Sequence, residues 1–262
     1  MWSISEVKQR GWRQIGMYYW PAFLLLILFG IAAHFENSMD IHMERVIQWI
    51  VQDGLIHGLL HGGFLHGFEL PDFSHVAESF FYGILALSGL VGIGIRIFVV
   101  NPMEVGCRHF FMESRELNRS AGMDRLLFAF VSGSYLNVVK IMFLRDLFIF
   151  LWTLALIVPG FVKSYEYAMI PYILSENPEA DQREVFAASR EMMDGEKLHL
   201  FIFGLSFIGW YFLGSVTLGL GLLFADPYIC AAEAEVYSEV RRRTSLPLNG
   251  FGSSDSMDTG AW

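Results

Sequence analysis

Asp53, His57 and His61 follow one another at four-residue spacing. On a helix they form one stripe, with two imidazoles a turn apart and a carboxylate a turn before them. Neutral nitrogen donors with a carboxylate suit Zn²⁺, Ni²⁺ or Cu²⁺, and His66 is the nearest further ligand. Six of the eight histidines (His34, His42, His57, His61, His66 and His75) fall within residues 34–79, between the first two apolar runs, with seven carboxylates and one arginine, Arg45. No His-Glu-x-x-His pattern and no cysteine supports a metal centre. Gly54, Gly58 and Gly62 occupy the adjacent stripe and weaken a helix. Histidines resting at a membrane headgroup layer are the preferred reading, and metal binding is the alternative.

Arg145 and Asp146 form a second constellation, with Asn137 and Lys140 just before them. Ionisable groups inside a membrane face a bundle interior and mark pathways, whereas at its surface a snorkelling arginine is an anchor. The anchor is the preferred reading, and a substrate pathway through Arg145 and Asp146 is the sharper one. Lys163 and Glu166 are placed to pair one turn apart. Val158-Pro159-Gly160, Gly209 and the stretch 217–221 suggest broken or tightly turned helices, which serve substrates in transporters and are elsewhere plain kinks. Enzyme motifs are absent. Gly92-Ile93-Gly94 lacks the third glycine of a dinucleotide loop, and no Walker motif, nucleophile elbow or Cys-x-x-Cys occurs.

The elements that must position these groups are apolar. Of 262 residues, 54% are hydrophobic and 17% charged, against about 25% charged in an ordinary soluble domain. The composition argues against a soluble globular protein, a disordered chain and a disulfide scaffold. It predicts an all-α, polytopic helical membrane protein with amphipathic interfacial helices. Apolar runs cover 16–33, about 80–100, about 141–160, 165–174 and 199–225. A helical crossing takes about 20 residues, so six spans are expected, with five as the alternative. The last tract is long enough for one span, or for a span with a short return continuing through Pro227.

Charge distribution favours six. With the N-terminus, 96–145, 177–197 and the C-terminus on one side, sixteen of the eighteen lysines and arginines lie together. Only Arg45 and Lys163 fall opposite. That bias marks the cytoplasmic face and predicts a multi-pass protein of the bacterial inner membrane with both termini cytoplasmic. The net charge of −9 then reflects its acidic loops. No basic domain or zinc-finger spacing points to nucleic acid. Cys107 and Cys230 are too few for a disulfide framework.

Residues 1–243 read as a single helical membrane domain and 244–262 as a flexible tail. Within the domain, 1–15 is an interfacial leader helix, capped by Ser3 with Glu6. Residues 34–77 form an extracytoplasmic His-rich insertion. Asn101-Pro102, Asn177-Pro178 and Asp226-Pro227 each follow an inward-running span, and interfacial helices are expected over 101–125 and 178–197, with a similar stretch after Pro227. Gly195 stops the second.

An ordered set of short segments carries a resemblance: 157–163 (IVPGFVK), 171–174 (PYIL), Ser189 with 193–197 (MDGEK), 206–210 (SFIGW), 217–221 (TLGLG) and Pro227-Tyr228. Together they resemble the bacterial integral membrane family known as domain of unknown function 975. The likeness covers about 141–240 well and the leader loosely. It implies an inner-membrane protein of several helices and supplies no activity.

The expected function is therefore non-enzymatic: a scaffold, an accessory subunit or a small transporter-like bundle working through lipid, solute or protein contacts. Membrane lipid is the expected partner, with a membrane protein or a second copy docking on the Gly-rich spans. The alternative is a metal-binding membrane protein or metal-dependent membrane enzyme using the His cluster.

Overall fold

The computed structural model describes residues 2–48, 74–217 and 220–244. Among these, every regular element is helical. In chain order they are α1 (Ile4–Gln48), α2 (Ser74–Ile95), a π turn (Arg96–Val100), α3 (Asn101–Leu117), a 3-10 turn (Met123–Leu127), α4 (Phe128–Val131), α5 (Tyr135–Ala155), α6 (Ile157–Glu166), α7 (Ile170–Glu176), α8 (Gln182–Met192), α9 (Lys197–Leu205), α10 (Ile208–Val216) and α11 (Leu220–Arg243). Most of the His-rich insertion and the C-terminal tail lie outside the described residues.

The chain divides into two compact units, residues 1–29 with 101–262, and residues 30–100. In the second, α2 is mostly apolar, with His75 and Glu78 in its first turns, and leaves Leu87, Leu90 and Ile93 exposed. The first unit holds the core. At its centre is α3, which contacts α4, α5, α7 and α11. Val105, Phe110, Phe111 and Met112 of α3 are buried, as are Ile170, Ile173 and Leu174 of α7 and Ala231, Val236 and Tyr237 of α11. The His109 ring ties α3 to α7 through the Ser175 carbonyl at 2.7 Å. Eleven of the seventeen residues of α3 are buried.

The leader also packs on protein. Trp2, Val7, Ile15 and Tyr18 are buried, and Trp2 meets His199 edge-on at 4.2 Å. A Cβ on Gly11 would come within 2.8 Å of the Ala232 backbone, so only glycine lets α1 approach α11 this closely. The kink at Tyr18 (φ −137°, ψ 27°) falls just before Pro21, whose ring crowds the carbonyl four residues earlier. The expected capping box is not formed, because the Ser3 hydroxyl pairs with Ser5 at 2.8 Å.

Of the three proline signals, the second alone opens a separate helix after a break, and later than expected. Asn177 Oδ1 accepts only from the Glu179 N–H, while Asp181 caps α8 by accepting from the Arg183 N–H at 2.9 Å. Gly195, at φ +71°, follows it as anticipated. Asn101-Pro102 and Asp226-Pro227 lie within continuous helical paths, the latter inside α11.

Two helices among the described residues are long and apolar enough to cross a membrane, 4–33 and 82–117. The pair α9 and α10, bent by 42°, makes a third if counted as one span. This is fewer than the six expected, for two physical reasons. Lys140, Arg145 and Asp146 interrupt the apolar run of α5. The chain then breaks at an extended Leu156, leaving α6 only ten residues long and α7 seven. The expected ion pair is made, with Lys163 Nζ 2.6 Å from Glu166, yet Lys197 Nζ reaches the same carboxylate at 2.8 Å. Lys163 and Lys197, assigned to opposite faces by the six-span map, therefore meet at one carboxylate.

Candidate functional site

Helices α3, α5, α6, α7, α9, α10 and α11 of the first unit enclose a cavity of about 370 Å³. Its lining has two chemically distinct parts. One is charged, with Glu104 and Arg108 from α3, Arg145 from α5 and Glu233 from α11. The other is aromatic, with Tyr165, Tyr167, Tyr172, Phe203, Phe207 and Tyr211.

Each cavity arginine is held by an acid from another helix, and Arg145 also by its neighbour Asp146. Arg145 donates from Nη2 to Glu104 at 3.2 Å and to Asp146 at 2.9 Å, and from Nε to Asp146 at 3.0 Å. Asn101 fixes the remaining Asp146 oxygen by donating at 2.8 Å. Arg108 donates from Nη1 to Glu233 at 2.6 Å and to the Tyr172 hydroxyl at 3.1 Å. Its guanidinium also lies 5.0 Å from the Tyr172 ring centre, and that ring stacks on Tyr237. With Arg108 Nη1 and Arg145 Nε and Nη2 donating to carboxylates, the charged wall is close to neutral while still presenting both signs. Such a lining suits a small ligand with polar groups at one end and apolar or ring surface at the other.

Helix spacing explains this placement. Glu104 and Arg108 are four residues apart on α3, so both project from one face. Glu233 and Glu235 are two apart on α11 and diverge. Glu233 enters the cavity wall, and Glu235 lies on the side toward α1, where Arg10 Nε reaches it at 3.2 Å and Arg115 Nε at 2.8 Å.

The sequence-derived residues fare differently. Arg145 lines the cavity, and Asp146 holds it without lining the cavity itself. Asn137 lies apart from them, donating to the Pro178 and Ala180 carbonyls, and Lys140 is exposed. Asp53, His57, His61 and His66 lie outside the described residues. Among the described residues, no group of three His, Cys, Asp or Glu is placed to hold a metal. Sequence reasoning missed Glu104, Arg108 and Tyr172. The available signal was the Glu104–Arg108 spacing together with two glutamates in the alanine-rich run 231–235.

Residues 125–244 match the model of a family described as Protein of unknown function (DUF975). The matched stretch supplies Arg145, Tyr172 and Glu233, while Glu104 and Arg108 precede it. No curated protein and no solved structure matches the chain.

Proposed function

With residues 125–244 a segment of this family of unknown function, we propose that the chain is a non-enzymatic protein of the bacterial inner membrane, holding a small polar or amphipathic solute in its charged and aromatic cavity. A transporter-like bundle or a solute-binding accessory subunit fits this reading. The observation that carries it is the cavity wall, where two arginines and two glutamates from three helices meet beside a bank of aromatic rings.

The topology that fits is even-numbered. The helices over 4–33 and 82–117 cross fully, leaving both termini cytoplasmic. The α5–α6 hairpin then enters from the cytoplasmic face and returns. Between Asp146 and Lys163 lie sixteen uncharged residues, in legs that reach roughly 13 Å, against a core of about 30 Å. Leu154, Leu156, Ile157 and Val158 at its tip are between 67% and 78% exposed, which is favourable in lipid and costly in water. The hairpin brings Lys163 to the same side as Lys197, leaving Arg45 as the lone basic residue opposite.

Native mass spectrometry of the full-length protein, with a lipid-embedded structure, tests the cavity reading. A small-molecule adduct is expected in the wild type and lost in Arg108→Met. Absence of any adduct and of cavity density would overturn it. Labelling of Lys163→Cys in oriented vesicles tests the topology, with reaction expected from the cytoplasmic side.

A further inference from the structure

A second concavity, about 340 Å³ in volume, opens between the start of α1, the last turn of α3 and the end of α11. Its lining includes Arg10, Arg13, Gln14, Arg115, Glu235 and Arg242. We infer that this pocket binds the headgroup of an anionic phospholipid through its phosphate.

The charge count carries the inference. Glu235 is taken by Arg10 and Arg115, and Glu239 by Arg10, Arg242 and Arg243. Four arginines thus share two carboxylates, with Arg243 also reaching Glu196, in a chain whose net charge is −9. Arg13 has no acidic partner among the described residues and is exposed. Helix dipoles account for part of the cluster, since Arg115 and Arg242 sit in the last turns of α3 and α11, where cations are favoured. They do not account for Arg10 and Arg13 near the start of α1.

Position selects a lipid over a free anion. On the same helix Trp12 and Trp20 are 61% and 67% exposed, and aromatic side chains of this kind settle at the headgroup level. The apolar run begins at Ala22, within three turns of Arg13. A phosphate at that depth belongs to the bilayer. Basic pockets between helices at the cytoplasmic face are suited to such headgroups because several guanidiniums can share the phosphate oxygens.

The test uses the full-length chain in detergent, titrated with short-chain phosphatidylglycerol or phosphatidylcholine and read by native mass spectrometry. Phosphatidylglycerol is expected to bind at least about tenfold more tightly, since two arginines at a lipid surface together give roughly tenfold to thirtyfold. In Arg13→Gln/Arg242→Gln the preference should fall to within about threefold. Both side chains are exposed, and Arg10 and Arg115 stay in place to hold the buried Glu235, so the fold is kept and circular dichroism should be unchanged. Lys140→Gln/Arg183→Gln removes the same charge from exposed positions elsewhere and should keep the preference. Equal binding of the two lipids, or equal loss in both double variants, would overturn the inference. Displacement of the lipid by millimolar inorganic phosphate would also overturn it, by identifying a free-anion site.

Discussion

The cavity and the basic pocket both draw arginine from α3, and both use glutamates two residues apart on α11. They differ in charge balance. In the cavity, Arg108 and Arg145 are matched by Glu233, Glu104 and Asp146, and the arginine side chains are 21% and 11% exposed. In the pocket, arginines outnumber carboxylates, and Arg242 is 65% exposed. A matched, enclosed arginine contributes to the fold, because an isolated charge there is strongly disfavoured. A surplus arginine in solvent contributes little to the fold and keeps its charge available to an external anion.

Four measurements would break or sharpen that contrast. The largest effect is expected from Arg145→Met, which leaves Glu104 and Asp146 without their cation. Loss of one partner of an enclosed pair costs about 3–5 kcal/mol. The melting temperature in detergent should then fall by roughly 10 °C, at about 2–4 °C per kcal/mol for a chain of this size. A change below 2 °C would show the cavity arginines to be dispensable, as those of the pocket are expected to be. Next comes Arg108→Lys, which keeps the charge but not the planar donor set facing both Glu233 and Tyr172. A loss of about 2 kcal/mol is expected, one charge-assisted hydrogen bond. Full retention of stability would show that the fork geometry is unimportant.

Arg13→Gln/Arg242→Gln should change stability by no more than about 0.5 kcal/mol, as for solvent-exposed charges, while lowering lipid preference to within about threefold. Destabilisation comparable with Arg145→Met would erase the distinction between the two regions. The smallest effect is expected from pH. Burial alone would raise the Glu239 carboxyl, but Arg242, Arg10 and Arg243 hold it below its ordinary value. A depressed carboxylate contributes stability above its unfolded value and loses it as pH falls through the folded one. The Glu239 contacts should thus persist from about pH 7 to 5.5, above the ordinary glutamate value of about 4.3, and the arginines stay charged throughout. Lipid selectivity that collapses within that window would assign recognition to a group other than these arginines.

Much of the helical character was legible. Val185, Phe186, Ser189 and Met192, at helical spacing, are buried on α8. Within the last apolar tract, α10 packs on α11, and α11 continues through Pro227. Crossing number was less legible, because hydropathy records that a segment prefers lipid and not whether it passes through or turns back. Leu156 is an unremarkable leucine in sequence, yet its extended backbone (φ −158°, ψ 132°) separates α5 from α6. The Arg145–Asp146 pair was visible as charge in an apolar run. Its partner Glu104 is 41 positions from Arg145, and the Arg108–Glu233 pair spans 125, beyond the reach of local patterns.

Composition and helical periodicity alone determined that the chain is helical and rich in lipid-compatible surface, since both follow from local side-chain chemistry. Tertiary structure decided which charges meet. It joined Lys163 and Lys197 at one carboxylate and gathered arginines from α1, α3 and α11 into one pocket. It also neutralised Arg145 with an acid from another helix. Pairing of this kind depends on distance in space, which the linear order of residues does not encode.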